Sequence, residues 1–335
     1  MRITAWEIEK RSESVKQREL EMHEPKDNEV LLEVEYCGLC RSDIAMIDNH
    51  WWKSTYPFSP GHEIVGKITK VGTNVSKELV GQRRGLGWIS GSCGHCRYCW
   101  GGEANLCDSI EETIVGRSGG LATHVLAQQD WTIPIPDEMD SASACPLLCA
   151  GTTVFSPFVQ HNISPLSHIA VVGIGGLGHI ALQIAKAWGC EVTAFTTTPE
   201  KINDAFEFGA HNALPLDQLK EIKGRYDLII NTTEQTLGSL NVLNALAKKG
   251  ILHQLGVTLE PLPLKTYELI SKTTSVSGSQ SSDPTITSEM LIFCARHKII
   301  PKIELMPISK ANTAIKRLRE GDVRYRFVLK IPTTS

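Results

Sequence analysis

The sequence has almost no charge imbalance for its size: 34 Lys and Arg stand against 37 Asp and Glu, a formal net charge of −3 over 335 residues. The basic residues are spread along the chain rather than massed. That removes the electrostatic footprint of a nucleic-acid or membrane-surface binder and leaves a small molecule as the expected partner. Long hydrophobic runs are missing as well. The most apolar stretch, IAVVGIGGLGHIALQIA at 169–185, is broken by glycines and a histidine, and the N-terminal MRITAWEIEKRSESVK lacks the apolar run of a secretory leader. Neither a membrane span nor a signal peptide is expected, and the expected location is cytoplasmic. No internal repeat or low-complexity segment occurs, which leaves ordinary globular domains, and the length suits about two of them.

What is present divides into two patterns. Between residues 29 and 135 short strands alternate with turns. In EVLLEVEY, Val30, Leu32, Val34 and Tyr36 share one face, and Gly72, Gly81, Gly85, Gly87 and Gly91 read as turn punctuation. This predicts a β-barrel-like domain. After IPIPDEMDSASACP the pattern becomes strand, glycine turn, helix: HIAVVG and LGHIALQIAKAWG, EVTAFTTT and PEKINDAFEFG, YDLIIN and LGSLNVLNALAKKG, then ILHQLGV. Alternating βα units predict a parallel, doubly wound sheet, so the fold class is α/β. A helix is expected over 309–320, capped by Ser309 and burying Ala311, Ala314, Ile315 and Leu318. The strand RYRFVLKI follows it and should return to the first domain. The expected divisions are 1–148, 149–285 and 286–335.

Four of the ten cysteines fall in GSCGHCRYCWGGEANLC at 91–107. In a reducing compartment such a cluster points to metal rather than disulfides. Cys93, Cys96, Cys99 and Cys107, with Gly94, Gly101 and Gly102 easing the loop, suit a tetrahedral zinc whose four thiolates leave no open position, hence a structural site. An iron–sulfur cluster is the competing occupant, but the last cysteine follows closely and no proline comes after it. A second set is scattered through CGLCRSD at 37–43, GHE at 61–63 and PLLCAG at 146–151. Two cysteines and a histidine are the ligand set of a catalytic zinc with a free position, while Cys37 and Cys40 could equally form a redox C-x-x-C pair.

In VVGIGGLG, Gly173, Gly175 and Gly178 form G-x-G-x-x-G after an apolar strand and at the start of a helix, with Gly176 and Leu177 completing the loop. The first glycine permits the tight turn, the second the approach of a pyrophosphate, and the third close packing, so a dinucleotide is expected on the helix N-terminus. NAD-binding folds usually end their second strand with Asp or Glu, which pairs with the ribose 2′-hydroxyl. Here EVTAFTTT has no such acid. Thr196, Thr197 and Thr198 can donate to a 2′-phosphate and Lys201 adds charge, against which stand Glu200 and the lack of an arginine clamp. NADP(H) is the expected cofactor.

Taken together and in order, CGLCRSD, GHE, GSCGHCRYC, PLLCAGTTVFSP, GIGGLGHIA and RYRFVLK resemble the zinc-dependent medium-chain alcohol dehydrogenases over nearly the whole chain, above all the cinnamyl-alcohol-dehydrogenase branch and its bacterial broad-range aldehyde reductases. The resemblance implies a GroES-like catalytic domain, a Rossmann cofactor domain inserted before the C-terminal segment, a substrate cleft between them, and a homodimer. It makes Cys40, His62 and Cys149 the catalytic zinc ligands, with Cys37 and Cys145 as bystanders and Glu63 as an alternating ligand. It implies that Asp43 orients His62, that Ser42 passes a proton between alcohol and cofactor ribose, and that Thr153 packs near the nicotinamide. Arg41 replaces a histidine common in the branch and suits a pyrophosphate contact. Ala45 stands where relatives often carry the histidine that ends the proton relay, so water or His50 would have to serve. Trp51, Trp52, Phe58 and Trp88 lie in segments that border the cleft in relatives, which suits apolar or aromatic alcohols and aldehydes. Three other readings share some of these features. A zinc-free quinone reductase would lack both metal sets. A polyol dehydrogenase differs in substrate, and a nucleotide-sensing zinc protein would have no need of Ser42.

Overall fold

The computed structural model describes residues 1–237 and 241–333. The chain forms two compact units, Met1–Thr152 with Ser281–Ser335, and Thr153–Gln280. Among the described residues no single helix is long and apolar enough to cross a membrane.

The first unit is organised on the strand Glu29–Leu39. It pairs antiparallel with Glu63–Val71 along its length, with His124–Gln128 over its first half and with Arg326–Lys330 over its second. The sheet runs Ile303–Pro307, Arg326–Lys330, Glu29–Leu39, Glu63–Val71, Arg83–Leu86, Thr132–Pro134, so the C-terminal strand is built into it. The expected apolar face holds through Val30, Leu32 and Val34. A register shift between Val34 and Tyr36 then reverses the alternation, leaving Tyr36 half-buried and turning Cys37 and Leu39 into the core. Gly85 and Gly91 are strand residues rather than turns. A Cβ at Gly85 would stand 2.7 Å from the Leu148 methyls, so close packing explains that glycine. The helix Ala311–Glu320 buries the four expected residues, but its N-cap is Lys310; Ser309 sits in the short 3-10 turn Ile308–Lys310 that leads into it.

The second unit is a parallel sheet ordered Asn212–Pro215, Glu191–Thr196, His168–Val172, Tyr226–Asn231, Leu246–Gln254, Ser275–Gly278. Numbered along the chain this is 3-2-1-4-5-6, the Rossmann order. Ile169, Ala170, Val171 and Val172 are fully buried, as a strand covered on both faces requires. The helix Gly178–Trp188 ends at Gly189, whose φ of 106° favours glycine. Of the expected helix at 237–250, residues 238–240 lie outside the described residues. Of the rest, only Val242–Ala245 is helical, and Leu246–Gln254 is strand with a bulge between its pairings to Tyr226 and Leu228. Leu246 is buried at the sheet, and lateral pairing outweighs the helix propensity of LAKK.

Candidate active site

Cys40 occupies the junction where the strand Glu29–Leu39 gives way to the helix Arg41–Ile47, as the N-cap residue in extended conformation. The carboxylate of Asp43, fully buried, accepts from the Cys40 backbone N–H at 2.8 Å, from the Gly61 N–H at 2.8 Å, and from His62 Nδ1 at 3.0 Å. One side chain thus ties the helix start to the loop before Glu63–Val71 and sets the imidazole. With its proton on Nδ1, His62 presents the Nε2 lone pair, which lies 3.3 Å from Cys149 Sγ. Cys149 itself sits in a non-helical conformation between the turn Cys145–Leu148 and the helix Ala150–Gln160.

The donor atoms of Cys40, His62, Glu63 and Cys149 all lie within 4.8 Å of one another. That convergence of two sulfurs, a nitrogen and a carboxylate from three separate segments fits a tetrahedral zinc. Glu63 Oε1 is paired with the buried guanidinium of Arg326, whose Nη1 lies 3.8 Å from Cys40 Sγ. Glu63 Oε2 is buried with no hydrogen-bond partner, an orphan that a cation would satisfy. Gly38 makes room for it, since a Cβ there would stand 2.2 Å from that oxygen.

The charges sort the groups. The shared hydrogen bond with Cys149, helped by Arg326 and His62, holds the Cys40 thiol well below its usual range against burial, while the same bond and burial push Cys149 up. Burial opposes protonation of His62, but the charge and hydrogen bond of Asp43 prevail and raise it. Burial lifts Glu63 to about 7 against the pull of Arg326. Cys37 and Cys145 are pushed far up by burial, which leaves them inert thiols. Half-buried Ser42 holds its Oγ 3.8 Å from Cys40 Sγ. Arg41 is exposed and donates to the Arg319 carbonyl at 3.3 Å.

The second cluster is closed. Cys93 and Cys96 place their sulfurs 3.9 and 3.6 Å from that of Cys99, and all four ligand atoms, Cys107 included, fall within 4.8 Å. Zinc–sulfur bonds at tetrahedral angles would separate the sulfurs by about 3.8 Å, so this set also fits the metal. Gly94 and Gly102, at φ 74° and 75°, make the turns of the lobe. Gly101 has an ordinary φ of −82°.

In the second unit Gly173 has φ 88°, and a Cβ on Gly178 would stand 1.8 Å from the Gly173 carbonyl oxygen. Nothing lies within 4 Å of the position of a Gly175 Cβ, so that face of the loop is open. Thr232 donates to the carbonyls of Val172 and Gly173, both at 2.9 Å, a brace on the loop that the motif does not reveal. At the end of Glu191–Thr196, Thr196 is buried and its Oγ1 accepts from the Thr198 N–H at 3.1 Å. Thr197 is exposed, Thr198 half-buried, and Lys201 is the first residue of the helix Lys201–Glu207. Thr153 is half-buried in Ala150–Gln160. Of the four aromatic residues expected near substrate, Trp88 packs edge-on against His62 at 4.9 Å and Trp51 against Trp88 at 5.8 Å. Phe58 is core and Trp52 is exposed.

Comparison with known proteins agrees with this geometry. Residues 26–137 match the Alcohol dehydrogenase GroES-like domain and residues 176–296 the Zinc-binding dehydrogenase family. The chain is 44% identical over 305 residues to the aldehyde reductase AdhA of Synechocystis sp., covering 90% of this chain and 91% of that protein. The chain belongs to the zinc-binding alcohol dehydrogenase family. Solved structures place this dehydrogenase in the cinnamyl-alcohol-dehydrogenase branch. The enzyme SbCAD4 of Sorghum bicolor superposes with a TM-score of 0.93 at 32% identity, each chain covered to 98%. The Helicobacter pylori enzyme complexed with NADP(H) superposes with a TM-score of 0.91 at 29% identity, covering 98% of this chain and 99% of that one. The dehydrogenase is therefore an oxidoreductase acting on an alcohol or its aldehyde. Its motif residues were readable in sequence; Gly38, Thr232 and the pairing of Arg326 with Glu63 were not, although RYRFVLK marked the segment that carries the arginine.

Proposed function

We propose that this dehydrogenase reduces apolar or aromatic aldehydes with NADPH, runs the reverse oxidation on the matching alcohols, and holds zinc at both cysteine-containing clusters. One observation carries the reading. Cys40, His62 and Cys149 converge beside Glu63 as three ligands from the described residues, and the Ser42 hydroxyl stands 3.8 Å from one of their sulfurs. When bound, zinc supplies Lewis-acid polarisation of the carbonyl oxygen and the reduced nicotinamide supplies the hydride. Asp43 keeps Nε2 of His62 free for coordination by holding the proton on Nδ1. Ser42 hydrogen-bonds the substrate oxygen and hands over a proton as that oxygen becomes a hydroxyl. Arg326 holds Glu63 by one oxygen and leaves the other free, which suits the alternating-ligand role. Cys93, Cys96, Cys99 and Cys107 carry the structural ion.

The preference for NADP(H) is supported by the missing carboxylate at the end of Glu191–Thr196, by exposed Thr197 and by Lys201. The NADP(H) complex of the Helicobacter pylori relative points the same way. Gly173, Gly175, Gly176, Leu177 and Gly178 would receive the pyrophosphate, with Arg41 contributing charge and Thr153 packing near the nicotinamide. In this reading residues 1–148 and 286–335 are catalytic and 149–285 bind cofactor, with Cys149 at the boundary serving the catalytic set. A homodimer is supported by Tyr267 and Ile270, each 79% exposed on the helix Thr266–Lys272, which precedes the edge strand Ser275–Gly278. Light scattering on the purified chain tests that assembly.

The deciding experiment measures kcat/KM for aliphatic and aromatic aldehydes with NADPH and with NADH, with sorbitol oxidation in parallel and elemental analysis of the protein. Higher efficiency with NADH would remove the cofactor assignment. Faster turnover of sorbitol than of any of the aldehydes would make the enzyme a polyol dehydrogenase, and nucleotide binding without turnover would make it a sensor.

A further inference from the structure

We propose that Trp88 is a positioning residue for His62, and that Glu112, tied to Lys53, holds Trp88 in that position; the inference rests on reading His62 as a zinc ligand. Polar contacts of the His62 side chain are made by its ring nitrogens, Nδ1 to Asp43 at 3.0 Å and Nε2 toward Cys149 at 3.3 Å. Contacts at those two atoms leave the ring able to tilt about the line joining them, and tilting swings the in-plane lone pair of Nε2 off its target. Trp88 adds a contact that such a tilt would disturb: its ring meets that of His62 at 4.9 Å and 85°, edge to face, and tilting the imidazole changes that angle. Such edge contacts are favourable and directional.

Trp88 is itself pinned on several sides. Its carbonyl accepts from the Thr113 N–H at 2.7 Å, the preceding Gly87 carbonyl accepts from Thr113 Oγ1 at 2.6 Å, and the following Ile89 pairs with Glu112. Its indole Nε1 donates to Glu112 Oε1 at 2.9 Å. Lys53 Nζ donates to both oxygens of that carboxylate, at 3.1 and 3.2 Å. The Glu112 side chain is only 13% exposed, so this pair is screened less than an ordinary surface pair. Trp51, two residues before Lys53, packs edge-on against Trp88 at 5.8 Å and 76°. The loop that carries Trp51 and Lys53 therefore grips Trp88 both by ring contact and through Glu112, and Trp88 bears on the ligand. None of these residues belongs to the ligand set or to the serine relay.

The test uses holoenzyme with cobalt(II) exchanged into the Cys40–His62–Cys149 site, read by its visible absorption bands, by release of the metal to a chelator, and by kcat and KM for acetaldehyde and an aromatic aldehyde. Trp88→Leu and Glu112→Ala should each shift the bands and speed metal release about 10-fold or more, the range for residues that support a ligand. Both should lower kcat for the small and the large aldehyde alike. Trp88→Phe keeps the ring contact, and Glu112→Gln keeps an acceptor for the indole, so each should restore most of the wild-type spectrum. Wild-type bands and release rates in both damaging variants, with only KM for the aromatic aldehyde raised, would make Trp88 a substrate wall and overturn the proposal. Should Trp88→Leu fail to fold, Glu112→Ala decides alone. Wild-type protein that takes up no cobalt at this site would overturn the zinc-ligand reading and this inference with it.

Discussion

At the scale of single residues, Asp43 and Ser42 divide the work beside the ligands. Asp43 accepts from three donors on two segments, and an amide in its place cannot accept from all of them with both oxygens. Asp43→Asn should lower metal retention at the Cys40–His62–Cys149 site by about 10–100-fold, measured by chelator competition. Ser42→Ala should leave metal content intact and cost about 10²–10⁴ in kcat, the range for a positioned proton-transfer group, with little change in cofactor KM. Wild-type turnover in that variant would end the relay assignment. The cofactor preference also rests on individual side chains. Because Thr196 is buried with its oxygen committed to Thr198, the exposed Thr197 is the better place for a carboxylate. Thr197→Asp combined with Lys201→Ala should shift the kcat/KM ratio toward NADH, by adding repulsion against a 2′-phosphate and removing attraction.

At the scale of elements, two loops depend on tight geometry for different ends. In the turn after His168–Val172, a methyl at residue 178 would overlap the Gly173 carbonyl, and backbone has nowhere cheap to go. Gly178→Ala should therefore destabilise the protein by about 1–3 kcal/mol, the usual cost of overpacking, and raise the KM for NADPH. Thermal melts and saturation kinetics would show both. Of the four ligands in the lobe of Cys93, Cys96, Cys99 and Cys107 only Cys107 is buried, and Trp100 and Leu106 are exposed, so the lobe buries little apolar surface and metal coordination has to supply its order. Cys96→Ser should lower the melting temperature while kcat at low temperature stays near wild type. A collapse of kcat with unchanged stability would reverse the roles assigned to the two clusters.

At the scale of the molecule, the pH dependence of stability has a specific source outside the metal clusters. His253 is fully buried, with Nδ1 3.0 Å from His161 Nε2 and Nε2 3.0 Å from Ser279 Oγ. Burial, and then the neighbouring His161, push it down to about 4 from its ordinary 6.5. Between those values the unfolded chain takes up a proton that the folded chain refuses, so stability should fall as pH drops from about 6.5 toward 4, with no contribution from this group above that window. His253→Gln should flatten this part of a melting-temperature profile, and an unchanged slope would place the acid sensitivity elsewhere.

The sequence by itself determined what depends on short-range spacing and local backbone conformation. The four-cysteine lobe, the glycine loop and the alternation of strand and helix are each contained within a few tens of residues, and the physics that requires them is local: positive φ at Gly94, Gly102 and Gly173, and a ligand loop of the right length. Spacing alone left open which cysteine of CGLC faces His62, and the tertiary structure shows why it is Cys40. A one-residue register shift after Val34 turns Cys37 into the core, and Cys40 comes to rest at the helix cap. Only the tertiary structure decided the pairing of Glu63 with Arg326, 263 residues apart, and the grip of Lys53 and Glu112 on Trp88. Such partners are set by which strands lie side by side and in what register. Burial, more than the order of residues along the chain, then makes those pairings obligatory, because a charge held away from water needs its partner.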